Sequence, residues 1–400
     1  MRSVVTEDLR EVFEEISGQS WDRFFDQWVH HAGSPELNVQ YRWLAGEKLA
    51  EVTVTQTQPV NDHSLLFAFP TRLRFYLEGK EDPVDQTIDI SERRHVFHVP
   101  LEKSPRMVLF DPDMTVLAKV EFRKPEPMLL DQLRTAPEVI ARIQAAEALG
   151  RNRSRAAVTA LREALENDQF HGVRSTAAGA LRKIDSDAAV SALIKAWDQD
   201  DARVRQSIVE ELGDLYRSDV EAFLHQVIEN EKNPAIVATA TRALAKYSTT
   251  GNQRRFRDLL DRSSFREEIA VAAVDAMRRQ DDPSQIRTLK RLIQRREADF
   301  ETRDFAALLE TCAQLARRDD DKSAVREMLL GYLEHPRDMI KGGALRALGT
   351  LRDRSAAEAI RSFTKSGNDR LAYAAEQSLR DLETQADSAP SEVRELRTRL

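Results

Sequence analysis

The chain has 400 residues, 41% hydrophobic and 32% charged, and its 60 basic and 67 acidic groups leave a formal charge of −7. That length exceeds the roughly 250–300 residues at which one core stops growing, so two or more domains are expected. The charge balance excludes a global electrostatic footprint for nucleic acid or an anionic membrane.

Residues 1–33 read as helical. Thr6 caps a first helix through Leu9, Val12, Phe13 and Ile16, and Gly18 stops it. A second runs from Ser20 through Trp21, Phe24, Phe25 and Trp28 to His30-His31-Ala32-Gly33. Two isolated helices cannot bury so many aromatics, so a packing partner is expected, either the segment that follows or a domain upstream.

From Pro35 to Phe122 the period switches to two. Leu37, Val39, Tyr41 and Trp43 alternate with polar residues, as do Ala50, Val52 and Val54, then Leu73, Phe75 and Leu77. Further short runs follow at 87–90, 96–99, 107–110 and 117–122, with turns at Ala45-Gly46-Glu47, Pro59–Asp62, Gly79–Pro83 and Asp111-Pro112-Asp113. Seven or eight short strands with one apolar face predict an antiparallel sandwich.

Composition changes near residue 127. Residues 1–127 hold 5 alanines and 9 of the 16 phenylalanines, whereas 128–400 hold 43 alanines. Small helix formers replace large aromatics, and Lys124-Pro125-Glu126-Pro127 punctuates the boundary.

Residues 128–384 repeat internally. Val173, Ala177 and Leu181 set a register of apolar, small and large apolar residues four apart. It recurs at Val204, Ile208, Leu212; Ile236, Ala240, Leu244; Ile269, Ala273, Met277; Ile340, Ala344, Leu348; and Leu371, Ala375, Leu379, with Ala145–Leu149 and Thr311–Leu315 less complete. The last anchors are separated by 32, 31, 32, 33, 38, 33 and 31 residues. Each interval holds a partner helix, so eight stacked helix pairs are predicted. The small middle residue lets neighbouring helices close to ~8–10 Å. Asp200-Asp201, Asn233-Pro234 and Asn368-Asp369 offer helix caps.

Two stretches carry a family resemblance. The helix at 6–18, the run Phe24-Phe25-Asp26-Gln27-Trp28-Val29, and Gly33-Ser34-Pro35-Glu36-Leu37 resemble the end of the catalytic domain in aminopeptidase N-like zinc metallopeptidases. The sandwich ending Phe110-Asp111-Pro112 resembles that family's third domain. The repeats, with Val173-Arg174 and Val204-Arg205 ahead of alanine-rich helices, resemble HEAT-type units, which form the family's C-terminal domain.

The same resemblance shows what the sequence lacks. The family binds zinc through H-E-x-x-H plus a downstream glutamate, and holds the substrate amino terminus with Gly-x-Met-Glu-Asn; neither motif occurs here. None of the eight histidines (His30, His31, His63, His95, His98, His171, His225, His335) opens such a motif. The chain is therefore expected to be one portion of a longer or split protein.

Other chemistry finds few residues to rest on. His95 and His98 lie three apart in a strand and point to opposite faces, which favours structural roles. Adjacent His30 and His31 diverge. Asp111-Pro112-Asp113 lacks the acidic ligands of an EF-hand loop and reads as a turn. There is no Gly-x-Ser-x-Gly elbow or phosphate loop. Cys312 is the single cysteine, so an intramolecular disulfide or thiolate-built zinc site is excluded. Arg174, Arg205 and Lys341 follow the first anchors of their repeats and offer either a charged surface or, more simply, a solvated face with local ion pairs.

The expected fold is α+β multidomain: a helical segment at 1–34, an antiparallel β-sandwich at 35–124, an all-α HEAT-type solenoid at 128–384, and a tail at 385–400 with a helix-prone stretch from Ser391 to Leu400. The resemblance implies the non-catalytic portion of a zinc aminopeptidase, bracing the catalytic domain and shaping peptide access. The alternative is a stand-alone repeat scaffold for protein partners. No catalytic, cofactor-binding or metal residue is assigned, and zinc is expected only in the missing catalytic domain. Expected partners are that domain, in cis or in trans, and peptides or proteins on the solenoid, rather than nucleic acid or membrane. No apolar run nears the ~18 residues of a membrane span, and the opening residues lack the apolar stretch of a secretory leader, which leans the compartment towards the cytoplasm.

Overall fold

Backbone contacts divide the chain into Met1–Trp197 and Asp198–Leu400. The computed structural model describes residues 4–61 and 63–383, so the helix-prone stretch 391–400 lies outside the described residues.

In the first unit α1 spans Thr6–Ser17, and Gly18 ends it in the left-handed region with φ +67°, its N–H bonding Glu14 O at 2.9 Å. The cap falls one residue earlier than expected. Asp8 accepts from the Val5 N–H at 3.0 Å, so Val5 is the boundary and Thr6 is already helical. α2, Asp22–Phe25, continues as a π turn over Asp26–His30. That turn is pinned to the sandwich. The Gln27 amide donates to Ala68 O at 2.9 Å and accepts from Ala68 N at 2.7 Å, and the Trp28 ring lies 5.0 Å from Phe67.

Seven strands follow: β1 Glu36–Leu44, β2 Leu49–Gln56, β3 Phe69–Leu77, β4 Val84–Ile90, β5 Arg94–Pro100, β6 Pro105–Phe110 and β7 Lys119–Arg123. They form two sheets, β5-β2-β1-β7 and β4-β3-β6. Every pairing is antiparallel except β1 with β7, where Leu37 faces Val120 and Val39 faces Phe122 in parallel register. The alternation seen in the sequence places Val39, Val52, Val54, Leu73, Phe75 and Val108 in the shared core, all fully buried. Asp111 closes β6 as a turn. Its carboxylate accepts from the Thr115 N–H and hydroxyl and from the Val116 N–H at 2.7–3.0 Å.

The sandwich is joined to the first helices within this unit. α3, Glu126–Thr135, carries Pro127 in its first turn, and α4 spans Val139–Leu149. Tyr76, Met107 and Leu109 pack with Ala136 and Ala141, while Glu138 accepts from Arg74 and from the Tyr76 hydroxyl at 2.7 Å each.

Lys124 sits at this junction, its Nζ donating to Gln132 Oε1 at 2.6 Å and lying 4.4 Å from the Phe122 ring centre. Burial lowers its pKa to about 7. Unfolded, the amine keeps its proton to about pH 10.5. Between those values the unfolded chain binds more protons, so stability rises with pH, and the cost of burying the charge stands in full below pH 7. Lys124→Met is expected to stabilise the protein at neutral pH by roughly 1–3 kcal/mol. It should also flatten the rise in melting midpoint between pH 7 and 10. A variant retaining the parent's slope would contradict this account.

The unit continues with α5 Arg155–Asn167, α6 His171–Ile184 and α7 Asp187–Lys195. The second unit contains α8 Ala202–Gly213, α9 Ser218–Asn230, α10 Pro234–Leu244, α11 Thr250–Leu259, α12 Glu268–Gln280, α13 Ile286–Arg296, α14 Thr302–Ala316, α15 Ser323–Gly331, α16 Asp338–Leu351, α17 Ala357–Ser362 and α18 Asp369–Glu383. The even-numbered helices from α4 to α18 carry the repeat register, eight among the described residues. Side chains cap several starts as anticipated: Asp201 accepts from Arg203 N at 2.9 Å, Asn233 from Ala235 N at 3.0 Å and Asn368 from Arg370 N at 3.0 Å.

The register residues are buried in both units. Leu379 is the exception: it is half-buried, and Ser378 and Leu382 occupy the interior of α18 instead. Within each unit, even-numbered helices next to one another close to backbone contact. A Cβ added to Gly349 would sit 2.7 Å from Ser378 Cα, and one on Gly343 would sit 2.6 Å from Ala306 Cβ. Gly150 meets Ala180, and Gly213 meets Ala243, at 3.0 Å in the same way. Small residues therefore allow these close approaches, but they sit beside the register positions, at Gly150, Gly213, Gly343 and Gly349, rather than at the middle residue the sequence pointed to.

Candidate docking surface

None of the residues weighed for metal or catalytic chemistry converges on a centre. His98 Nε2 lies 3.3 Å from Glu51, and the His95 ring stacks on Phe97 at 4.5 Å. His31 Nδ1 lies 2.9 Å from Asp26 O. No group of three or more His, Cys, Asp or Glu side chains suited to a metal ion occurs among the described residues. Cys312 is fully buried in α14, and burial pushes its thiol up to about 12. Among the described residues no helix is long and apolar enough to cross a membrane.

The basic positions of the repeats have structural roles. Arg205 donates to Gln199 O at 2.6 Å and Asp200 O at 3.0 Å, and pairs with Glu231 at 2.7 Å. Arg142 repeats the pattern in the first unit, donating to Ala136 O at 2.9 Å and Pro137 O at 3.2 Å and pairing with Asp168 at 2.7 Å. Each guanidinium thus ties the loop before its own helix to the end of the next helix. Arg174 donates to Asp168 O at 3.3 Å, and Lys341 faces Asp338 at 3.8 Å. Arg205 belongs to neither expected category. It is a largely buried strut, and what sequence reading missed was its acidic partner, 26 residues downstream.

The surface that stands out lies in the first unit, on α1 and α2. The periodicity that identifies α1 as amphipathic does not bury it: none of its residues is buried, Ile16 is 82% exposed, and Leu9, Val12 and Phe13 are 43–50% exposed. Among the described residues its aromatic contacts are those of Phe13 with Trp21, just ahead of α2, at 5.1 Å and with Phe25 at 6.2 Å. Trp21 donates through its indole to Ser17 Oγ at 2.8 Å, and its N–H reaches Glu14 Oε1 at 2.9 Å. Five carboxylates (Glu7, Asp8, Glu11, Glu14, Glu15) against Arg10 make the helix acidic.

Beside α2 a cleft of about 810 Å³ opens onto the sandwich, lined by Trp21, Phe24, Trp28, Phe69, Val116 and Leu117. Arg72 and Asp113, paired at 2.9 Å, line it as well. Phe24 and Leu117 are exposed there. A stripe and a cleft of this kind suit an apolar partner surface, with the ion pair supplying direction.

Residues 126–213, from α3 to α8, match the HEAT-repeat family, described as HEAT repeats. No curated protein sequence matches the chain. Among solved structures, Legionella pneumophila aminopeptidase A in complex with aspartic acid is similar at 12% identity and a TM-score of 0.49, over 94% of this chain and 52% of that one. The chain thus spans about half the length of that protein. Human deoxyhypusine hydroxylase in complex with glycerol is similar at 15% identity and a TM-score of 0.29, over 64% of this chain and 96% of that one.

Proposed function

We propose that this chain, a β-sandwich followed by helical repeats, is a non-catalytic brace whose N-terminal helices dock on the catalytic domain of an aminopeptidase N-like zinc peptidase, with the repeats shaping peptide access. One observation carries the reading: a well-formed amphipathic helix, α1, is held by its neighbour with its apolar stripe open to solvent. Covering half-exposed Leu, Val, Ile and Phe side chains releases roughly 25 cal/mol per Å² of apolar area. That is a sufficient driving force for association. The Phe24–Val29 and Gly33–Leu37 runs support the choice of partner, since they resemble the segment leading out of such a catalytic domain.

The purified chain is expected to bind no stoichiometric zinc by metal analysis and to leave aminoacyl reporter substrates intact. It should associate with a separately expressed zinc-aminopeptidase catalytic domain, and Ile16→Asp with Phe24→Asp should weaken that association at least tenfold without shifting the melting midpoint. Zinc-dependent turnover by the chain alone would refute the non-catalytic role. Indifference of the association to the double variant would refute the docking surface. The stand-alone scaffold is the second reading, and the acidic flank of α1 favours it if the partner proves to be a basic protein other than a peptidase.

A further inference from the structure

The odd-numbered helices α11 and α13 carry a concentration of positive charge that the fold does not use. α11 contributes Arg254, Arg255 and Arg257, and α13 contributes Arg287, Lys290, Arg291 and Arg295. None of these seven has an ion-pair partner among the described residues. Their neighbour Arg296 shows the contrast, engaged by Glu267 at 2.8 Å and Asp299 at 2.7 Å. On α13 the cations at 287, 290, 291 and 295 follow helical spacing on one face, while Leu289, Leu292 and Ile293 are buried on the other. Like charges three and four residues apart repel, so the arrangement is unfavourable until an anion relieves it.

Four of these groups, Arg257, Arg287, Lys290 and Arg291, line one cleft of about 930 Å³ with Ile286 and a single carboxylate, Asp319. We infer that this cleft binds an acidic peptide segment, a short run of Asp and Glu side chains on a partner protein. Arginine forks pair with carboxylates through two parallel hydrogen bonds, and three of the four cations are arginines. A short segment fits a cleft whose lining holds four cations and one carboxylate, Asp319. Asp258 and Asp261 lie on and just beyond α11, and Asp319-Asp320-Asp321 follow α14. An extended nucleic acid, with a charge every ~1.7 Å along a duplex, carries far more charge than the four cations of this one cleft can match. This surface belongs to the second unit and does not depend on the docking role of α1.

The test uses the full chain and a fluorescein-labelled hexaglutamate peptide, read by fluorescence anisotropy at 50 mM salt. Saturable binding is expected, weakened at least tenfold at 300 mM salt and at least tenfold by Arg287→Glu with Arg291→Glu. Both side chains are exposed, so the melting midpoint of that variant should match the parent's. Ile16→Asp with Phe24→Asp should leave peptide binding unchanged, which separates this site from the docking surface. Absence of binding at low salt, or equal binding by the charge-reversed protein, would overturn the inference. So would a 20-base-pair duplex that binds through the same two arginines more tightly than the peptide.

Discussion

Leu244→Ala is expected to lower the stability of the second unit by about 2–5 kcal/mol, read as a fall in the denaturant midpoint. Leu244 is fully buried in α10, a helix that packs against α8, α9 and α12. The cavity left by the substitution would face several helices that are themselves closely packed and cannot collapse into it. Ala240, one turn earlier and also fully buried, gives the converse. Ala240→Leu forces extra methyl groups into the helix crossing and should cost about 1–3 kcal/mol by overpacking. In a repeat array each unit is stabilised chiefly by its neighbours, so both changes act on two interfaces at once. An unchanged midpoint in either variant would show that the repeat register is misplaced.

Glu231→Ala should be comparably severe, at about 3 kcal/mol. The Glu231 side chain is 5% exposed and accepts from Arg205 at 2.7 and 3.3 Å and from the N–H groups of Lys232 and Asn233 at 2.8 Å. Truncation strands a largely buried guanidinium and two loop donors together. Burial pushes the Glu231 carboxyl up, but Arg205 and the two backbone donors outweigh it and hold the group below its usual value of 4.5. The stability it contributes is therefore complete above about pH 4.5 and lost as the pH falls through the lower folded value. The variant should lose that part of the parent's acid sensitivity. Adding Arg205→Met should restore part of the loss, because the stranded charge is then gone. Strictly additive single effects would exclude the pairing as the cause.

The sequence made the repeat register readable because one pattern recurs, apolar residues four apart on one helix face with a small residue between them in most repeats, Ile208 being the exception. The interval of 38 between Met277 and Leu315 holds 3-10 turns on both sides of α13, at Pro283–Gln285 and Glu297–Asp299, and Leu315 is still buried, so the register survives the insertion. The strands were equally legible, since Val39, Val52 and Phe75 alternate with polar neighbours. Their order was not, because local alternation carries no information about which strand lies beside which. β7 reaches its parallel place beside β1 after the connection 111–118 crosses from β6 in the other sheet. Thr6 looked like a cap because its side chain suits one, yet the Val5 N–H donating to the Asp8 carboxylate fixes the boundary at Val5. Leu379 matched the register by spacing while Leu382 took the buried place. The docking surface was half legible: the surplus aromatics signalled a missing partner, and Trp28 found one in Phe67 while Ile16 did not. The basic cleft was invisible, because its cations come from two helices some 30 residues apart and only folding aligns them.

The buried thiol of Cys312 gives the molecule an internal clock. A sulfhydryl that holds its proton to about pH 12 and has no contact with solvent cannot meet an alkylating reagent while α14 stays in place. Its rate of labelling at neutral pH therefore counts every opening, local or global, that exposes α14, with no background from a second cysteine. Breathing of the array at its longest interval can thus be timed in the native protein without installing a probe.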